Sequence, residues 1–165
     1  MSMQRIYVLG GTQSDFAFHW SRTGHSIYDI LENGILDCIE KNKITAADIQ
    51  SFHIGNFVGE LFTHQGHLGA MVASMHPQWM GVASARHEAA CASGSIALLS
   101  ACAEIAAGYY DLVCVAGVEQ MRNTSGQQAA NHLAVAAWTD REGQEALRPR
   151  PALPRQRQAQ RPLEG

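Results

Sequence analysis

Apolar residues recur at helical spacing most clearly between positions 27 and 39. Ile27, Ile30, Leu31, Gly34, Ile35, Cys38 and Ile39 fall on one stripe of a 3.6-residue period, with Asp29, Glu32, Asp37, Glu40 and Lys41 off it. Ser26 followed by Asp29 has the form of a capping box with Asp in place of Glu, so a helix is predicted to start at Ile27, with Cys38 a core residue. Upstream, "RIYVLGG", Arg5 to Gly11, reads as a buried strand ending in a glycine turn. The residues after it lack the G-x-G-x-x-G and helical period of a dinucleotide-binding loop. "ITAADIQ" reads as a short capped helical turn, and "SFHIGNFVG" alternates as a strand in which His53 is an ordinary strand histidine.

From Gly59 to Gly81 the pattern loses any clean period, and a long excursion with one short helix near Leu68 to Met75 is expected. Order returns at Ala92. The segment to Ala107 carries one charge, Glu104, and is apolar around most of its circumference, which predicts a helix inside the domain, ended by Gly108. "YDLVCVAGVEQM" then reads as an apolar, β-branched strand of a parallel sheet. Strand, helix and strand make a βαβ unit, and Cys91 falls at its strand-to-helix turn.

Composition narrows the class. With 165 residues, 46% apolar and 16% charged, the chain suits one α/β domain with a proper core. The apolar run around Ala89 to Ala103 is shorter than the ~20 residues a bilayer requires, and "MSMQRIYVLGG" has no secretory cleavage pattern, so a cytoplasmic protein without a membrane span is expected. The four cysteines Cys38, Cys91, Cys102 and Cys114 form no C-x-x-C pair and are expected to be reduced. His64 and His67 in "THQGHLG" have no Cys, Asp or Glu partner nearby, so no metal site is expected. The net charge of −3 divides unevenly: residues 148–165 hold five arginines and one glutamate, +4, and leave −7 on the body. That acidic body does not point to nucleic acid.

Cys91 stands in "HEAACASGSIALLSACAEIAAG" among residues chosen for smallness. At a helix N-terminus it faces unpaired backbone N–H groups and the positive end of the helix dipole, which favour a thiolate. Small neighbours admit a carbonyl, and backbone N–H groups there can hold an oxyanion. Cys102 and Cys114 fall mid-helix and mid-strand and gain none of this. On position alone, nucleophile and packing residue remain equal readings of Cys91.

"GGTQSDFAFHWSRTGHSIYDI", "FTHQGHLG", the cysteine motif with "GVEQM" after it, and "QQAANHLAVAAWTDRE" together resemble the N-terminal half of the thiolase (acetyl-CoA acetyltransferase) family, in the flavour of its sterol-carrier-protein-linked branch. The resemblance runs from about Arg5 to Glu142. It implies a layered αβαβα fold of two similar halves, with a mixed sheet and a buried nucleophile-bearing helix. It implies Cys91 as the acyl-accepting nucleophile, its own N–H in an oxyanion hole. Coenzyme A thioesters would be substrates with no permanently bound cofactor, in a lipid-metabolic acyl transfer run as condensation with acetyl-CoA or as thiolysis. It also implies a homo-oligomer, with the strand around Ala83 to Ala89, which propensity alone does not predict, pairing across a dimer axis.

The family's Gly-His-Pro and Cys-x-Gly segments, which carry its proton-handling histidine and second cysteine, have no counterpart here. His87, four residues before Cys91, is a candidate base but reads better as a structural residue. "RPRPALPRQRQAQRPLEG" lacks aromatic and β-branched residues, so residues 1–142 are expected to form the thiolase-like domain and residues 143–165 a disordered Pro/Arg-rich tail of frameshift origin. The expectation is thus a truncated thiolase, inactive alone and completed by a missing C-terminal half or by self-association. The alternatives are a non-catalytic thiolase-like interaction subunit and a ketoacyl-synthase-like condensing enzyme.

Overall fold

A computed structural model of the chain describes residues 5–137, and the tail expected over 143–165 lies outside them. Helix α1 spans Ile27–Asn42 and begins as its sequence dictates: Ser26 and Asp29 form a reciprocal capping box, and Ile27, Leu31 and Ile35 are buried. The bond from Ser26 holds the Asp29 carboxyl below the usual carboxylate range. A second capping box, Thr45 with Asp48, closes the 3-10 turn Ala46–Asp48 before strand β1, Ser51–Gly55. The excursion then contains two short helices, α2 at Gly59–Thr63 and α3 at Leu68–Met71. Strand β2, Ala83–His87, follows, then helix α4, Ser93–Ala106, strand β3, Val113–Gly117, and helix α5, Gly126–Ala134.

The sheet has the order β2-β1-β3 and both pairings are parallel, with Gly55 opposite His87 on one side and Gly117 on the other. The β2–α4–β3 connection therefore steps over β1. Every residue of β1 is buried, and its alternation separates two environments. Phe52 and Ile54 join Leu31, Leu68, Val72 and Trp79 in the apolar core under α1 and α3. Ser51 and His53 point the other way, toward α4, where both reach Glu104. Buried aromatic and aliphatic side chains such as Phe52 stabilise by about 1.5–3 kcal/mol each. Trp79, fully buried, also donates its indole N–H to the Ala46 carbonyl at 2.9 Å.

Two sequence expectations change. Arg5 to Gly11 is not a buried strand: Tyr7, Val8 and Leu9 are 72%, 81% and 66% exposed. A strand exists only where an edge completes its hydrogen bonds, and among the described residues this segment pairs with none. It runs instead beside the end of α1, where Thr12 donates to Asp37 and a Cβ at Gly10 would displace the Asn42 side-chain amide. Helix α4 lies inside the domain along one stripe only, Ser93, Ala97 and Ala101, and exposes Leu98 and Leu99. The sheet covers one side of it, and no described element covers the other.

Candidate active site

Cys91 occupies a 3-10 turn, Ala90–Ala92, that feeds the N-terminus of α4, and its side chain is exposed. The residue before it, Ala90, has φ +48°, a left-handed conformation that costs a non-glycine residue on the order of 1 kcal/mol. The turn is held from both sides: the Ala90 N–H donates to the Glu88 carboxylate at 2.6 Å, and the Ser93 hydroxyl donates to the Ala90 carbonyl at 2.7 Å. No side chain caps α4, whose N-cap is Ala92; the Ser93 N–H donates back to the Ala90 carbonyl, and the next N–H groups of the first turn have no side-chain acceptor.

Cys91, Ser93 and Gly94 are among the residues that line a cleft of about 680 Å³. Gly55, at the end of β1, lines it as well and packs directly on the Gly94 backbone. Phe16, Phe18 and Trp20 line it together with Asp15, Arg122 and Met121. Residues 119–123, directly after β3, brace these pieces together. Glu119 accepts from the Phe57 N–H, and Gln120 donates to the His25 carbonyl at 2.7 Å. Arg122 donates to the Phe16 carbonyl at 3.3 Å, and Asn123 to the Phe62 carbonyl at 2.6 Å. Sequence reasoning used "GVEQM" only as a mark of resemblance; a run of polar residues at the end of a parallel strand was the available signal for this brace. Glu119 lines the cleft, and desolvation by its crowded surroundings raises its carboxyl above the ordinary value.

His87 does not line this cleft. It belongs to a chain of polar side chains between the sheet and α4. His53 Nε2 lies 2.8 Å from Glu104, His53 Nδ1 lies 2.8 Å from His87 Nε2, and Ser100 is 3.4 Å from His87 Nδ1. Because Glu104 accepts from His53 Nε2–H, the consistent assignment for neutral rings has His87 Nε2–H donating to His53 Nδ1 and Ser100 donating to His87. Desolvation, with the neighbouring His53 ring second, lowers the His87 pKa. His53 is thus the buried centre of a relay, and the lone charge of α4 is its acceptor. Periodicity treated these residues singly because 51 positions separate His53 from Glu104.

The other sequence candidates serve as structure. His64 and His67 adopt positive φ of 57° and 59° at the end of α2 and the start of α3. Among the described residues no three His, Cys, Asp or Glu side chains are grouped to hold a metal ion, and no helix is long and apolar enough to cross a membrane. The cysteines are all free. Burial, with Cys38 nearby, pushes the Cys114 thiol up to about 12.

The turn that carries Cys91 lies in a segment that matches a known family: the thiolase N-terminal domain fits residues 7–155. The chain belongs to the thiolase family. It is 36% identical over 119 residues to an acetyl-CoA acetyltransferase of Methanothermobacter thermautotrophicus, covering 72% of this chain and 30% of that protein. It is 37% identical over 119 residues to an acetyl-CoA acetyltransferase of Methanocaldococcus jannaschii, covering 72% of this chain and 29% of that protein. This thiolase-family chain therefore spans about 30% of the length of these curated relatives. Its α/β architecture with a small parallel sheet agrees with the thiolase-like fold expected from its motifs.

Proposed function

We propose that this chain supplies the acyl-accepting part of a thiolase-type acyltransferase, with Cys91 as the residue that takes the acyl group from a coenzyme A thioester. The observation that carries the reading is the exposed Cys91 just before the uncapped N-terminus of α4, lining a cleft of about 680 Å³. The Cys91 thiolate attacks the thioester carbonyl, and the carbonyl electron pair moves to oxygen. N–H groups of the first turn of α4 beyond Ser93, which no side chain caps, supply the donors for that oxyanion. Collapse breaks the carbon–sulfur bond to coenzyme A, which leaves as a thiol carrying the proton Cys91 gave up, and the acyl group remains on Sγ as a thioester.

In the whole protein the acyl group is then joined to acetyl-CoA, or in the reverse direction arises from a 3-ketoacyl-CoA. The names of the archaeal relatives support acetyl transfer at that level. No resident cofactor enters these steps. The test is to incubate the chain with acyl-CoAs from acetyl to octanoyl and read intact mass, then map the adduct. A hydroxylamine-labile acyl increment on Cys91, absent from Cys91→Ala, is expected. No adduct on Cys91 with any of these thioesters would overturn the reading.

A further inference from the structure

Polar side chains cross the seam between the sheet and α4, and none of them lines the cleft. Ser100 and Glu104 stand one turn apart on α4, His53 is in β1, and His87 is the last residue of β2. The same three elements hold Cys91 in place: β2 leads into its turn, α4 follows it, and Gly55 of β1 packs on Gly94. The Glu104 carboxylate accepts from the Ser51 hydroxyl at 3.2 Å and from His53 at 2.8 Å. His53, 2% exposed, has Nδ1 left to accept from His87 Nε2 at 2.8 Å, the two rings stacking with centroids 4.9 Å apart. The other His87 nitrogen meets the Ser100 hydroxyl at 3.4 Å.

With both rings neutral, every ring nitrogen in this chain has one partner and one role. A further proton must go to a nitrogen that now accepts. On His53 Nδ1 it would face the His87 N–H across 2.8 Å. On His87 Nδ1 it ends the bond that Ser100 donates, and 3.4 Å is long against the about 2.7–2.9 Å of a charged hydrogen bond. A charged imidazole therefore gains by opening toward water. Few groups bear on this balance. His53 faces His87 from β1, Glu104 from α4, and Glu88 in the following turn is bonded to the Ala90 N–H. Arg86, the neighbour in β2, points to the opposite face and pairs with Glu60 at 2.8 Å, and α3 carries no titratable side chain. Desolvation, the largest cause, keeps the His87 pKa below its ordinary 6.5, so the ring is neutral at pH 7.

What such opening releases is close by. Cys91 is four residues beyond His87, and Ala90 between them is held at φ +48°. Strain of this kind persists only where the surroundings over-determine it. The His87 carbonyl accepts from the Asn56 N–H at 3.1 Å, and the Ala89 N–H donates to the Ser93 hydroxyl at 3.0 Å, so the turn hangs between His87 and α4. We infer that the Glu104–His53–His87–Ser100 chain positions Cys91 in a proton-dependent way: neutral, it holds the strained turn in its reactive form, and a proton taken from water by His87 Nδ1 releases it. His53, His87 and Glu104 are thus positioning residues. The inference adds regulation to the site proposed above, and alkylation tests it without coenzyme A.

The experiment times iodoacetamide labelling of Cys91 in the whole chain, by peptide mapping, from pH 7.0 to 5.0. Loss of thiolate slows any cysteine, so His87→Gln, which keeps a polar side chain but cannot titrate, is the reference. Over that range the parent's Cys91 rate is expected to fall at least about threefold further than the variant's. About thirtyfold is the ceiling, reached if His87 titrated at the ordinary 6.5 and left about 3% of the ring neutral at pH 5.0. Glu104→Gln keeps an acceptor for His53 and removes the charge that favours the proton, so its extra loss should come at lower pH than the parent's. In the parent alone, that acid limb and the His87 Cε1–H resonance should share one midpoint. Two separate midpoints overturn the inference. So does an equal fall in parent and His87→Gln, or an extra fall accompanied by labelling of the desolvated Cys114 thiol, which marks unfolding. Acylation by acetyl-CoA is followed in parallel: its absence removes the proposed function and leaves the alkylation profile to decide the inference.

Discussion

The contact between β1 and the start of α4 fixes where Cys91 sits, and Gly55→Ala tests it directly. A Cβ at Gly55 would lie 2.8 Å from both the Cα and the nitrogen of Gly94, and 3.0 Å from the Ser93 carbonyl carbon. Unstrained carbon contacts lie near 3.5–4.0 Å, so the sheet and helix must separate by about 0.7–1.2 Å. The obstructing atoms are backbone and cannot swing aside. Overpacking of this kind costs about 1–3 kcal/mol, which should lower the urea midpoint. The displaced element carries Cys91 three residues upstream of Gly94, and a misplacement near 1 Å costs about 10²-fold where geometry governs reaction. Acyl transfer to Cys91 should therefore fall by one to two orders of magnitude in the fraction that remains folded. Gly94→Ala is the matched control: its Cβ meets nothing within 4 Å, so stability should hold or rise by up to about 1 kcal/mol. A Gly55→Ala variant with the parent's midpoint and the parent's acylation rate would refute the argument.

Alkylation with limiting iodoacetamide, followed by peptide mapping, should label Cys91 first and Cys114 last, since Cys91 is exposed and the Cys114 thiol is pushed up to about 12. Comparable labelling of the two would contradict the packing of β3. The lowered His87 pKa has a defined sign: as pH drops below the ordinary histidine value of 6.5, the unfolded chain takes up this proton before the folded one, so stability is lost on acidification. The raised Glu119 value acts in the opposite sense, its stabilisation being lost as pH rises above the ordinary 4.5. Urea midpoints measured downward from pH 7 should thus fall less steeply in His87→Asn than in the parent; identical slopes would exclude the relay as their source. Ser26→Ala should cost about 1 kcal/mol in the same unfolding assay through loss of the α1 cap, and no change would mean the box is dispensable. Exposed Tyr7, Val8, Leu9 and Leu99 lead us to expect concentration-dependent self-association by sedimentation velocity, and a monomer throughout the micromolar range would argue against it.

What the sequence by itself determined is whatever is decided within a turn or two of chain. The stripe from Ile27 and the Ser26–Asp29 box placed α1, because amphipathic period and capping act over three or four residues. The turn after Ile44, the β1 and β3 strands and the position of Cys91 between strand and helix were legible for the same reason. Tertiary structure decided the rest. Arg5 to Gly11 has the composition of a strand, yet strand formation needs a second edge, and composition does not say whether one is present. The full burial of β1 follows from its central place between β2 and β3, which no local pattern specifies. Pairing also joined three residues that the sequence presents singly into the Glu104–His53–His87 chain, since the buried His53 must find partners and only the packing of α4 on β1 and the pairing with β2 supplied them. The positive φ at Ala90 and the brace from residues 119–123 belong there too. Ala90 carries no sequence mark of a left-handed residue, and the brace acts on segments about 60 to 106 positions away. Local chemistry thus singled out Cys91, while long-range packing shaped the cleft beside it.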